Sequence, residues 1–265
     1  MTKKRLLCLL LIMFSFLLVS CGLRRENREY GDFLYQYTSD DMGKSCITIM
    51  GLSEQGKQKE TIVTPTEING KLVKCFGLNI HMRTKGYIES ENLKNIYIHG
   101  QIEKYENEDC FGELTDRFGK IRDITIFLGV SREKLWMHLP TMLNRVYVAK
   151  EEFYETHDDE YYSRYEEGVK NNIDYYTKIK FANVIYYYNY GKKTTFFVDD
   201  CDGTVVNVIP PEPFREGYKF LGWYKEPECI NKWDFEKDIV PAKEYDKNGE
   251  YVLKETKLFA KWEEE

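Results

Sequence analysis

The sequence predicts a mainly β protein, in which a short solenoid of stacked strands is followed by a small β module. Three observations predict it. A six-residue phrase with apolar residues at its first, fourth and sixth positions occurs three times between residues 93 and 148. From residue 182 onward, runs rich in β-branched and aromatic residues alternate with Gly, Pro and Asp-Gly turn signals. Composition, 42% apolar and 31% charged over 265 residues, supports real cores and excludes wholesale disorder. A formal charge of −6 disfavours a general nucleic-acid binder.

Residues 1–20 read as an export leader. Lys3, Lys4 and Arg5 precede the fourteen-residue apolar run Leu6–Val19. That run is shorter than the roughly twenty residues a spanning helix needs, and it fits a signal-peptide core. It ends Leu18-Val19-Ser20-Cys21-Gly22, which resembles the lipobox of bacterial lipoproteins. The resemblance implies lipidation of the Cys21 sulfur, cleavage just before it, and a chain held extracytoplasmically at the cell surface by its lipid. Each buried CH₂ contributes about 0.8 kcal/mol, so two or more acyl chains anchor stably where one is marginal. An ordinary secreted protein with a coincidental cysteine is the alternative. Losing the three leader cations takes the formal charge from −6 to −9.

Residues 21–45 read as an N-terminal tether, and residues 46–150 as the repeat region. The three phrases are Leu93–Ile98, Ile121–Ile126 and Leu143–Val148, at offsets of 28 and 22 residues. Their last three positions alternate as a half-buried strand does. Each unit buries its apolar row only against its neighbours, so the region should behave as a cooperative stack. Ile47–Ile49 and Thr61–Pro65 read as a hairpin leading into the stack. The stretch Cys46 through Ile68-Asn69-Gly70-Lys71-Leu72-Val73 to Phe76-Gly77, with Cys110-Phe111-Gly112 further on, resembles BspA-like leucine-rich repeats. The resemblance implies a leucine-rich-repeat solenoid. A generic antiparallel β domain is the alternative.

Residues 151–181 read as a cap and linker. The acidic, aromatic stretch through Tyr161-Tyr162-Ser163-Arg164-Tyr165 lacks Pro and suits a helix or helical turn closing the open end of the stack. Gly168 through Asp174 reads as the linker proper.

Residues 182–265 read as a compact β module. Strands are expected at Val184–Tyr190, Thr194–Val198 and Thr204–Ile209, with a turn at Asp202-Gly203. The chain then reads Pro211-Glu212-Pro213-Phe214-Arg215-Glu216-Gly217-Tyr218-Lys219-Phe220-Leu221-Gly222-Trp223-Tyr224, with Trp233-Asp234-Phe235 and Thr256–Trp262 to close. This set resembles the Listeria–Bacteroides repeat, the internalin-B-type B repeat, and implies a β-grasp-like fold. Tyr218, Phe220, Trp223, Phe235 and Trp262 are large enough to fill the core of so small a unit. Cys201 and Cys229 could pair. The five cysteines left once Cys8 is cleaved off and Cys21 lipidated, an odd number without CxxC spacing, otherwise argue against a disulfide framework or a zinc site.

No catalytic signature appears. HExxH, GxSxG, P-loop and GxGxxG motifs are absent, and no metal or cofactor is expected. Positions facing outward between the buried repeat residues form the candidate binding face: Tyr97, Arg122, Thr125, Arg145 and Tyr147. Tyr97 and Tyr147 occupy matching positions and could make an exposed aromatic row, in residue types that interfaces favour. The expectation is a non-enzymatic cell-surface lipoprotein that binds a host or partner protein or glycan through this face. An envelope-associated ligand-binding lipoprotein serving another surface enzyme or transporter is the alternative.

Overall fold

Side-chain rows running across five short strands hold the middle of the molecule together. The computed structural model describes residues 26–40, 42–76, 78–79, 84–86, 88–102, 124–129, 143–151, 159–171, 178–191 and 194–265. In chain order its strands are β1 (Arg28–Tyr30), β2 (Phe33–Ser39), β3 (Ser45–Leu52), β4 (Thr61–Val63), β5 (Glu67–Ile68), β6 (Lys71–Phe76), β7 (Leu78–Asn79), β8 (Thr84–Lys85), β9 (Asn95–Ile98), β10 (Ile124–Leu128) and β11 (Leu143–Val148). Helix α1 (Asp159–Lys170) follows. Then come β12 (Ile179–Phe181), β13 (Val184–Tyr187), β14 (Thr195–Asp199), β15 (Tyr218–Tyr224), β16 (Glu244–Tyr245), β17 (Tyr251–Val252) and β18 (Thr256–Glu264). Cys21 and Arg122 lie outside the described residues.

β4, β9, β10, β11 and β12 stack in chain order, every neighbouring pair parallel. Ile62, Ile96, Ile126, Val146 and Ile179 stand in one register row, none more than 3% exposed. Burying each such side chain stabilises by about 1.5–3 kcal/mol. This pairing corrects the alignment of the middle phrase. Ile126, not Ile124, stands opposite Ile96, so the offsets are 30 and 20 residues. A two-residue slip leaves every side chain on its own face, so apolar patterning alone cannot choose between the registers.

Upstream, β1-β2-β3-β6-β5 form a second sheet. The tether assignment is thereby corrected from Arg28 onward, because β1 and β2 pair as a hairpin and β2 continues onto β3. The expected hairpin between residues 47–49 and 61–65 does not form. β3 lies between β2 and β6, whereas β4 joins the parallel sheet beside β9. Phe33, Tyr35, Ile47, Ile49, Val73 and Phe76 share one core with the inner row of the parallel sheet. Cys75 is disulfide-bonded, a departure from the expectation that cysteine spacing had set. Cys201 and Cys229 are free thiols and do not pair.

The helix expected between repeats and module is α1. It runs through Gly168 to Lys170, so Gly168 is helical rather than linker. β12 supplies the last strand of the stack from what the sequence assigned to cap and linker.

In the C-terminal region the sheet order is β14-β13-β18-β15. Its two central strands are parallel and the outer pairs antiparallel. The strand expected over 204–209 is absent. Asn207 N and Val208 N donate to Asp199 Oδ2, so a side chain takes the backbone donors that a ladder would need. Trp223 and Trp233 are buried, with Phe220, Phe235 and Trp262 packed against them. The Arg215 guanidinium lies 3.4 Å from the Tyr218 ring centroid and 4.4 Å from that of Tyr190. This cation–π seat gives the arginine of the motif a packing role.

Candidate binding surface

Alternation along the parallel strands turns a second set of side chains away from the Ile62–Ile179 row. One outward row is Thr61, Asn95, Thr125 and Arg145, and the next is Val63, Tyr97, Phe127, Tyr147 and Lys180. Asn95 Nδ2 donates to Thr61 Oγ1 at 3.2 Å, linking the first row across strands. In the second, Tyr97 and Phe127 stack at 4.2 Å and Phe127 and Tyr147 at 4.9 Å, with planes within 4° of parallel. The aromatic row therefore exists with three members. Phe127 was hidden by the register that matched Thr125 to Tyr97.

That row is not open to solvent along its length. Tyr97 is 2% and Phe127 7% exposed, because β14 lies across them. Phe197 stacks on Tyr97 at 5.4 Å, and the Tyr97 hydroxyl donates to Asp199 Oδ1 at 2.9 Å. Burial and the Asp199 carboxyl together push the Tyr97 phenol well above its ordinary pKa. The exposed-row expectation is corrected for Tyr97 on this ground: a strip of aromatic faces is a large apolar surface, and the chain covers it with its own C-terminal sheet.

The seat requires backbone contact. Gly100 N donates to Phe196 O at 2.6 Å. A Cβ on Gly129 would stand 2.0 Å from Phe196 O, and one on Gly100 would stand 2.4 Å from Thr195 O. A second clamp lies in the Pro-rich segment. Thr66 Oγ1 donates to Glu212 O at 2.7 Å, and the Gln101 side-chain amide exchanges two hydrogen bonds with the Phe214 backbone.

His99 is sealed beneath this seat. Its Nε2 lies 2.9 Å from Pro65 O, its Nδ1 accepts from Gln101 N, and its ring stacks near Phe196. Burial pushes its pKa down to about 4. The unfolded chain binds a proton on this ring below about pH 6.5, the folded chain only below about 4. Between those values the unfolded state holds more protons, so stability falls as pH falls. The expected contribution of His99 is a loss of about 3 kcal/mol between pH 7 and 4. His99→Gln should flatten that part of a stability-versus-pH curve measured by urea unfolding.

Coverage ends at Tyr147, which is half-buried, and Lys180, which is exposed. There a cleft of about 410 Å³ opens between β11, β12, α1 and the C-terminal region, lined by Tyr147, Lys180, Phe181, Asp200, Lys243 and Tyr251 among others. Lys243 Nζ lies 2.6 Å from Asp200 Oδ2 and 5.6 Å from the Tyr251 ring centroid. Burial and the Asp200 carboxylate raise the Tyr147 phenol, while a hydrogen bond from Arg145 acts the other way. Burial opposes the Lys243 charge, yet its hydrogen bond to Asp200 raises the ammonium above its usual pKa.

Of the five face residues, Tyr147 lines this cleft, and Arg145 reaches it only through its hydrogen bond to Tyr147. Thr125 stays half-buried in the polar row, Tyr97 is covered, and Arg122 lies outside the described residues. Asp200, Lys243 and Tyr251 were missed; Asp200 stands two residues before the expected Asp202-Gly203 turn. Among the described residues, no group of three or more His, Cys, Asp and Glu side chains is arranged to hold a metal ion. Among them, too, no helix is long and apolar enough to cross a membrane.

Residues 183–246 match the Listeria–Bacteroides repeat domain. The C-terminal region carries this repeat. The match begins one residue before β13 and ends before β18, although β18 pairs with both β13 and β15. The structural unit around the repeat thus runs on to the last strand. A protein of Evansella cellulosilytica, provisionally named a membrane protein, is 30% identical over 99 residues, which are 37% of this chain and 13% of that protein. The chain therefore spans about an eighth of that relative's length. No solved structure matches.

Proposed function

We propose that the chain is a non-enzymatic bacterial cell-surface lipoprotein that binds a protein or glycan. In this reading its leucine-rich-repeat solenoid, of BspA-like type, and its β-grasp-like B-repeat module act as one binding unit. The observation that carries the reading is the cleft where the covered aromatic row emerges between parallel sheet and repeat. It brings Tyr147, Lys180, Lys243 and Tyr251 to one opening, and tyrosine and flanking charge are what recognition surfaces use.

The location rests on the lipobox ending at Cys21. The disulfide at Cys75 suits an oxidising, extracytoplasmic setting, and the membrane protein among the relatives is compatible with an envelope role. A small-ligand role beside another envelope protein is the second reading, favoured by the size of the cleft. Cys21→Ala is expected to lose labelled-palmitate incorporation and to move the protein from the membrane to the soluble fraction. Unchanged membrane retention would overturn the anchor.

A further inference from the structure

We propose that the cleft between β11, β12 and the Listeria–Bacteroides repeat binds a carboxylate-bearing sugar of one or two rings. This rests on the reading of the chain as a surface binding protein and assigns that reading a site and a ligand class. Size comes first: about 410 Å³ lies within the roughly 300–1,000 Å³ of small-ligand sites.

Chemistry narrows the class. Tyr147, Phe181 and Tyr251 bring three aromatic rings to the lining, and a ring face suits the apolar C–H face of a pyranose. Phenol hydroxyls at Tyr147 and Tyr251 can donate to or accept from sugar hydroxyls. Among the described lining residues, Lys243 is bonded to the Asp200 carboxylate, while Lys180 is exposed and makes no ion pair with any of them. That exposed ammonium beside the rings favours an anion over a neutral sugar even though the whole chain is acidic. Lys180 stands in register with Tyr147, so stacking and charge recognition lie side by side on adjacent strands. An acidic peptide would share the charge preference but would leave the ring faces without a flat partner.

The test is isothermal titration of residues 22–265 with D-glucuronic acid and digalacturonic acid. D-glucose and an acetylated Asp-Asp dipeptide amide serve as comparison probes. Both uronates are expected to bind, glucose at least about tenfold more weakly, and affinity to fall as salt rises. Lys180→Gln and Tyr251→Ala change solvent-exposed side chains, and their melting temperatures report whether the fold is kept. Each is expected to weaken uronate binding about tenfold or more, with Lys219→Gln on β15 unchanged. Undetectable uronate binding, binding indifferent to both variants, or preference for the dipeptide would overturn the proposal. Glycan-array binding that survives Lys180→Gln and Tyr251→Ala would sink this cleft and leave the surface-binding reading standing. A wild-type array without signal, together with membrane retention of Cys21→Ala, would sink that reading itself.

Discussion

Gly129→Ala is expected to destabilise the protein by about 3 kcal/mol or more, the upper end of what overpacking costs. The added methyl would meet Phe196 O at 2.0 Å and its carbonyl carbon at 2.6 Å. Those are backbone atoms of a strand buried on both faces, so no rotamer change relieves the clash. β14 would have to lift from Phe127 and Tyr97. Gly100→Ala should act in the same direction, since its Cβ would also meet Thr195 O. Thermal unfolding followed by near-UV circular dichroism checks both. A melting temperature for Gly129→Ala within about 1 °C of the parent would contradict the seat as described.

Asp199→Ala is expected to cost about 4 kcal/mol. The carboxyl of Asp199 is fully buried. It accepts from the Tyr97 hydroxyl at 2.9 Å, Asp200 N at 2.9 Å, Asn207 N at 2.8 Å and Asn207 Nδ2 at 3.1 Å. Truncation leaves several of these donors without an acceptor, at about 1–3 kcal/mol for each that water cannot reach. Asp199→Asn keeps one acceptor oxygen and should fall between. Tyr97→Phe alone should cost about 1–2 kcal/mol and much less in the Asp199→Ala background, because the two groups share one hydrogen bond. Urea unfolding of the four proteins in this cycle gives the coupling directly. Additive losses would mean that Tyr97 and Asp199 do not hold the sheet and the repeat together.

The parts of the fold legible in the sequence are those whose evidence is local. Leu93–Ile98 and Leu143–Val148 alternate over enough residues to declare a strand and its buried face. The Pro211–Tyr224 segment carries its turn and aromatic signals within one short stretch. Register between β9 and β10 was not legible, because Ile124 and Ile126 point the same way and either satisfies the pattern. β12 was missed for a related reason: three residues, Ile179 to Phe181, show too little alternation to stand out beside a helix.

The candidate surface was half legible for a different cause. Tyr97, Arg145 and Tyr147 do stand on the side of the parallel sheet turned away from the Ile62–Ile179 row, but outward from one sheet is not the same as exposed. What covers Tyr97 and Phe127 is β14, about a hundred residues away, as the Tyr97–Asp199 hydrogen bond measures. Nothing in the spacing of residues 93–148 records that contact. Gly100 and Gly129 were its sequence trace, two small residues just beyond the ends of β9 and β10, where a backbone comes close. Asp200 and Lys243, 43 residues apart in the chain, meet at 2.6 Å, a pairing only the folded topology creates.

The central claim is that the parallel sheet and the Listeria–Bacteroides repeat form one unit through this seat. Differential scanning calorimetry of residues 22–265 tests it most directly. The account predicts one cooperative transition whose van't Hoff and calorimetric enthalpies agree, moved as a whole to lower temperature by Gly129→Ala. Two resolved transitions, with only one displaced by that substitution, would contradict it.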